Sequence, residues 1–123
     1  MTRLIIAIAA IFGLLAVIAG AAGTHALRDS LDSGALSTFE TAARFQMYHS
    51  LALLATGLLA YRWQTYMLTA AALLFTAGML LFSGSLYALA LSGIGVFGAI
   101  APVGGLCLMT GWVSLAIAAF PSK

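Results

Sequence analysis

Charge is what this sequence has least of. Only 7% of its 123 residues are Asp, Glu, Lys or Arg, against 63% hydrophobic residues and a mean hydropathy of +1.12. A soluble domain of this size has to present a largely polar outside, and so little polarity cannot supply one. Lipid removes the contradiction. The five basic and three acidic residues differ by two charges, and no basic stripe is formed, which excludes nucleic acid as a partner despite a pI near 9.0. One cysteine, Cys107, excludes an internal disulfide, and there is no CxxC partner beside it. Motifs of catalysis are missing as well: no GxSxG, HExxH, Walker or dinucleotide fingerprint occurs. No catalytic residue, cofactor or resident metal is expected.

What is present is a series of long apolar runs. Leu4–Ala22 is unbroken and matches the roughly 20 residues needed to cross a hydrocarbon core of about 30 Å. Arg3 before it and Gly20-Ala21-Ala22 at its end also fit a signal peptide, but a retained span is expected. The stretch from Thr24 to Arg44 carries Arg28, Asp29, Asp32, Glu40 and Gly34 and reads as the one long loop. Within it Ser37-Thr38-Phe39-Glu40 fits the S-x-x-E capping box, which predicts a helix starting near Thr38. Apolar residues then run to Tyr61, where Tyr61-Arg62-Trp63 marks an interface. Gln64 and Thr65 leave room only for a tight turn before the next run, which reaches Leu91. Gly93, Gly95 and Gly98 interrupt the chain, and Pro102 is expected in the first turn of a last helix, where its missing N–H costs nothing.

The expected architecture is an all-α integral membrane four-helix bundle with antiparallel neighbours. One short extramembrane loop or helical segment separates the first two helices. The whole chain forms a single domain with spans at about 4–23, 44–61, 66–91 and 102–120. Four spans put Arg3, Arg62 and Lys123 on one side and Arg28 and Arg44 on the other, so cytoplasmic termini are expected.

Small residues recur four apart on the first helix, at Ala9 and Gly13, Ala16 and Gly20, and Ala19 and Gly23. Helices in lipid associate by close packing, so Gly13, Ala16, Gly20 and Gly23 are candidate packing positions, within the bundle or between copies. Arg44 lies at a membrane edge with Glu40 one turn earlier, the favourable i, i+4 order for an ion pair. His49 is about 7.5 Å deeper and needs hydrogen-bond partners there. His25, His49 and Cys107 come from different segments without a metal-site spacing, so a metal site is not expected. Placed by depth, His25, Arg44, Gln46, His49, Ser50, Ser83, Ser85 and Tyr87 gather in one half of the membrane. They are expected to converge into one hydrogen-bonded layer, with His49 facing the third helix and Arg44 near the loop acids.

Several segments together carry a resemblance: Gly20-Ala21-Ala22-Gly23-Thr24-His25-Ala26-Leu27, Thr41-Ala42-Ala43-Arg44-Phe45-Gln46-Met47-Tyr48-His49, Leu81-Phe82-Ser83-Gly84-Ser85-Leu86-Tyr87, and Pro102-Val103-Gly104-Gly105 with Gly111-Trp112. Nearly end to end, the chain resembles the small membrane proteins grouped as domain of unknown function 423, related to a eukaryotic transmembrane protein family. Thr24 and Phe45 stand where that pattern has alanine and tyrosine. The resemblance implies a four-helix protein of the bacterial inner membrane and no established activity. The reading of function is therefore a structural or interaction component, self-associating or an accessory subunit of a membrane complex, with membrane lipids as its surroundings. The alternative is a transporter or channel for a small solute, lipid or proton that uses the polar layer; an enzyme acting on lipid comes third, for want of a nucleophile, base or metal.

Overall fold

The computed structural model describes residues 1–121, so Lys123, one of the charges in the orientation count, lies outside the described residues. Four helices follow one another, α1 Thr2–Thr24, α2 Ser33–Leu59, α3 Tyr66–Ser92 and α4 Val96–Ala118, with no strand among the described residues. They form an integral membrane bundle in which consecutive helices are antiparallel neighbours. Large apolar side chains cover its outside, with Leu4, Leu73, Leu106 and Met109 each more than 60% exposed. Such a surface is stable only against acyl chains.

Helix α2 starts earlier than the S-x-x-E pattern predicts. Asp32 is its N-cap and accepts from the Ala35 N–H at 2.8 Å, while Ser37 lies in the second turn, where its carbonyl accepts from the Thr41 hydroxyl. An aspartate three residues ahead of an amide satisfies the same orphan donor as serine and does so with a full negative charge at the positive end of the helix. The long loop therefore contracts to residues 25–32. The extra turns of α2 rest on the end of α1, where Phe39 lies against Gly23.

Pro102 is a second correction, since α4 begins at Val96 and Pro102 lies inside it. Gly93 ends α3 in the left-handed conformation, φ 72°, and only Ile94 and Gly95 separate it from α4. A turn this short starts the new helix one and a half turns before the proline. The missing N–H then leaves the Gly98 carbonyl without its intrahelical donor, a loss that membrane helices tolerate.

The order of contacts along the helices fixes their directions. Met1 just before α1 and Ile5 within it share a cavity wall with Thr69 and Ala72 of α3, and further along Leu15 and Ala19 share another with Leu80 and Gly84, so α1 and α3 are parallel. Helix α2 runs back between them, with Gly57 against Ile5 and Gln46 reaching Phe12. Consequently Met1, the 60–65 turn and the end of α4 lie at one end of the bundle, here the terminal end; residues 25–32 and 93–95 lie at the loop end.

Helix α4 packs chiefly on α3, along the closest seam in the molecule. Gly111 lies against Phe75, Gly78 against Leu108 and Gly104 against the backbone of Leu81 and Phe82, an antiparallel register in which one number rises as the other falls. A Cβ added at Gly104 would stand 2.7 Å from the Leu81 carbonyl carbon and closer still to the Phe82 nitrogen. Backbone approaches this near need glycine, because any side chain meets main chain rather than a group that can turn aside. On α4 the buried positions Ala101, Gly104, Leu108, Gly111, Ser114 and Ala118 repeat at three and four, a stripe that the pairs on α1 did not point to. In the α1–α2 seam Ala16 and Gly23 are buried and Gly13 makes ordinary contact with Ser50, but Gly20 has nothing within 4 Å of its Cβ position. Gly20 is thus open groove, not packing, within one chain.

Candidate functional site

The second helix is the least apolar of the four, and its polar residues explain why. Only α1, α3 and α4, among the described residues, are long and apolar enough to cross a membrane by length and composition. Helix α2 carries Glu40, Arg44, Gln46, His49 and Ser50 instead. Gln46, His49 and Ser50 follow at i, i+3 and i+4 and so occupy one face, which is turned inward; each is buried.

That face ties α2 to every other helix. Gln46 Nε2 donates to the Phe12 carbonyl of α1 at 2.8 Å, and Gln46 Oε1 accepts from the Tyr87 hydroxyl of α3 at 2.7 Å. One amide thereby joins three helices, and its two partners dictate which end is oxygen. Ser83 of α3 donates to the Ala42 carbonyl of α2 at 2.8 Å, a second bond between the same pair. His49 reaches α4, accepting at Nε2 from the indole N–H of Trp112 at 3.1 Å. Indole can only donate, so Nε2 must be the bare nitrogen and Nδ1 carries the hydrogen, which it gives to the Phe45 carbonyl at 2.7 Å. Each ring nitrogen has one partner of the right polarity.

Aromatic rings enclose this imidazole. Phe45, Phe75 and Trp112 have their ring centroids 5.8 to 6.0 Å from it, and Phe75 is fully buried. Ser50 donates to the Gln46 carbonyl at 2.7 Å and lies 3.8 Å from the Met79 sulfur, which closes the layer on the α3 side. Among the described residues no buried side-chain nitrogen or oxygen is left without a hydrogen-bond partner. The interior is polar, and its buried side-chain polar atoms are paired.

Not every expected member joins. His49 does face α3, with its ring against Phe75, but its interhelical hydrogen bond is with α4, because the glycine-lined seam draws α4 close enough for Trp112 to reach across. Ser85 returns its hydroxyl to the Leu81 carbonyl of its own helix and contributes nothing between helices. His25 caps the end of α1 and is exposed, remote from His49. Arg44 is exposed and donates from Nη2 to Thr41 Oγ1 at 3.2 Å rather than to Glu40, although both Arg44 and Glu40 line the same groove between α1 and α2. Three residues apart on a helix leaves a short reach to a hydroxyl. Among the described residues no three His, Cys, Asp or Glu side chains gather as a metal ion would require.

Trp112 is the one member of the layer that the sequence did not single out as polar. Its signal was available, since an indole N–H in lipid has to find an acceptor and His49 is the one buried imidazole at that depth.

Comparison with known proteins agrees on a membrane protein. The family model described as "Protein of unknown function (DUF423)" matches residues 19–105. A UPF0382 membrane protein of Staphylococcus aureus is 42% identical over 118 residues, 96% of each chain. One from Haemophilus influenzae is 40% identical over 114 residues, 93% of this chain and 91% of that one. The UPF0382 membrane protein YwdK of Bacillus subtilis is 37% identical over 118 residues, 95% of this chain and 96% of its own. No solved structure matches.

Proposed function

From the premise that this chain belongs to the DUF423 family, we propose that it is a structural component of the bacterial inner membrane, a four-span bundle that self-associates or serves as an accessory subunit of a larger membrane complex. The observation that carries this reading is the paired polar interior. A path for a solute or proton needs polar groups that exchange partners during passage, whereas Gln46, Ser83 and the Nε2 of His49 are held by neighbouring helices, and Ser50 and the Nδ1 of His49 by backbone carbonyls of α2 itself. Bonds of that kind are worth about 0.5 to 2 kcal/mol each in a membrane protein and act as staples.

The same geometry supports the crossing of α2. Helices α1 and α3 are parallel and both apolar enough to span, so the segment that joins the end of one to the start of the other has to recross the bilayer. Helix α2 has 27 residues, about 40 Å at 1.5 Å each, and turns its polar face away from lipid. Arg3 and Arg62 then share the terminal end, with Lys123 at the end of the chain, which favours cytoplasmic termini. A reporter that matures only in the periplasm should be inactive when fused after the last residue. Strong activity there would reverse the orientation.

What supports self-association is the exposed apolar outside of α1 and α4, a surface that another copy or subunit could cover in place of lipid. Crosslinking in native membranes, followed by mass measurement in mild detergent and in lipid discs, should give a defined oligomer or a constant partner. A strict monomer in all three settings would end this reading.

A further inference from the structure

Arg44 and Glu40 stand one turn apart on α2 and line an open groove of about 290 Å³ between α1 and α2. Its apolar part comes from Ala16, Gly20 and Met47, and the missing side chain at Gly20 keeps it open. Arg44 uses Nη2 on Thr41, which leaves other guanidinium donors facing the groove, and the Glu40 carboxylate is not spent on it. Gly20 is four residues before the end of α1, about 6 Å at the helical rise, so the two charges lie beside the last turns of α1, near the loop end of the bundle.

A groove that is apolar at its deep end, with a cation and an anion held apart at its mouth, matches a molecule with the same order of parts. We propose that it seats a phospholipid with a phosphoethanolamine headgroup, the phosphate on Arg44, the ammonium on Glu40 and one acyl chain along Ala16, Gly20 and Met47. Charge complementarity selects this occupant. A phosphoglycerol headgroup meets Arg44 equally well but brings nothing positive to Glu40, and phosphocholine has no N–H to donate to the carboxylate. The site requires α2 to lie in the membrane beside α1 and does not depend on self-association, so a monomer that still retains the lipid would overturn the oligomer and leave the site standing.

The test is native mass spectrometry of full-length protein released from vesicles made of equal parts phosphatidylethanolamine and phosphatidylglycerol, with a second set containing phosphatidylcholine. Wild type should keep phosphatidylethanolamine in preference to both others. Arg44→Gln should lower retention of every phospholipid about tenfold, the equivalent of one hydrogen bond to a charged group. Glu40→Gln should abolish the preference, phosphatidylethanolamine falling and phosphatidylglycerol rising. Gly20→Leu fills the groove without altering either charge and should reduce all retention, and its fold is checked by an unchanged melt, since nothing lies within 4 Å of its Cβ position. Equal retention of the three lipids by wild type would overturn the proposal, as would an Arg44→Gln protein that keeps lipid like wild type. A crosslink from Met47 to a second copy, with no lipid retained, would assign the groove to that copy and overturn it too.

Discussion

Gly104→Ala should be the most damaging single methyl in this protein, with a loss of about 3 kcal/mol or more, at the upper end of what overpacking costs in a filled interior. The new Cβ would lie 2.7 Å from Phe82 Cα and from the Leu81 carbonyl carbon, so α4 has to move as a body away from α3. Moving it also lengthens the Trp112–His49 bond, which holds at 3.1 Å. Gly84→Ala on the neighbouring helix is the control, because its Cβ meets nothing within 4 Å. That change should stabilise by about 0.5 to 1 kcal/mol through helix propensity alone. Gly78→Ala should fall between them, since its Cβ meets the Leu108 side chain at 2.5 Å but its backbone nitrogen only at 3.0 Å. Thermal unfolding in mild detergent, followed by circular dichroism, ranks the three. Equal melting of the Gly104 and Gly84 variants would show that the α3–α4 seam has room for a side chain at Gly104.

His49→Ala is expected to come next, at about 3 kcal/mol, because it empties a space bounded by Phe45, Phe75 and Trp112 and orphans the indole N–H. Trp112→Phe removes the donor while keeping a ring in place, and should cost only about 1 kcal/mol. The double variant measures the bond itself. A coupling near 1 kcal/mol is the expected value for an interhelical hydrogen bond in a membrane protein. If His49 instead served a transported solute, its loss would leave the melt unchanged and remove binding. A stable His49→Ala bundle would therefore count against the structural role and in favour of transport.

Much of the architecture was readable before any coordinates. The scarcity of charge identified lipid as the solvent, and the apolar runs marked the helices, because a backbone crossing hydrocarbon has to satisfy its own hydrogen bonds. Composition alone also identified Gln46 and His49 as groups in need of partners, since neither can return all its polar atoms to its own helix. Local competition was harder to read. Asp32 and Ser37 both fit the chemistry of a cap; Asp32 holds it, and Phe39, two turns into α2, lies against Gly23. Pro102 looked like a helix start because proline is cheapest there, yet the left-handed Gly93 had already turned the chain.

Small-residue spacing was the least decisive signal of all. The pairs on α1 and the stripe on α4 look alike in sequence, but a Cβ at Gly20 meets open space and one at Gly104 meets backbone. Which glycines bring helices together depends on which faces are apposed, and that is a property of the packed bundle. The partner of His49 was undetermined for the same reason. Depth along a helix follows from residue number at a fixed rise, so the sequence alone could place Gln46, His49, Ser83 and Tyr87 in one layer. Rotation about each helix axis and the distance between axes do not follow from residue number. They are fixed only when all four helices pack together, and it was that packing which sent the imidazole to Trp112 and left Arg44 and Glu40 facing an open groove.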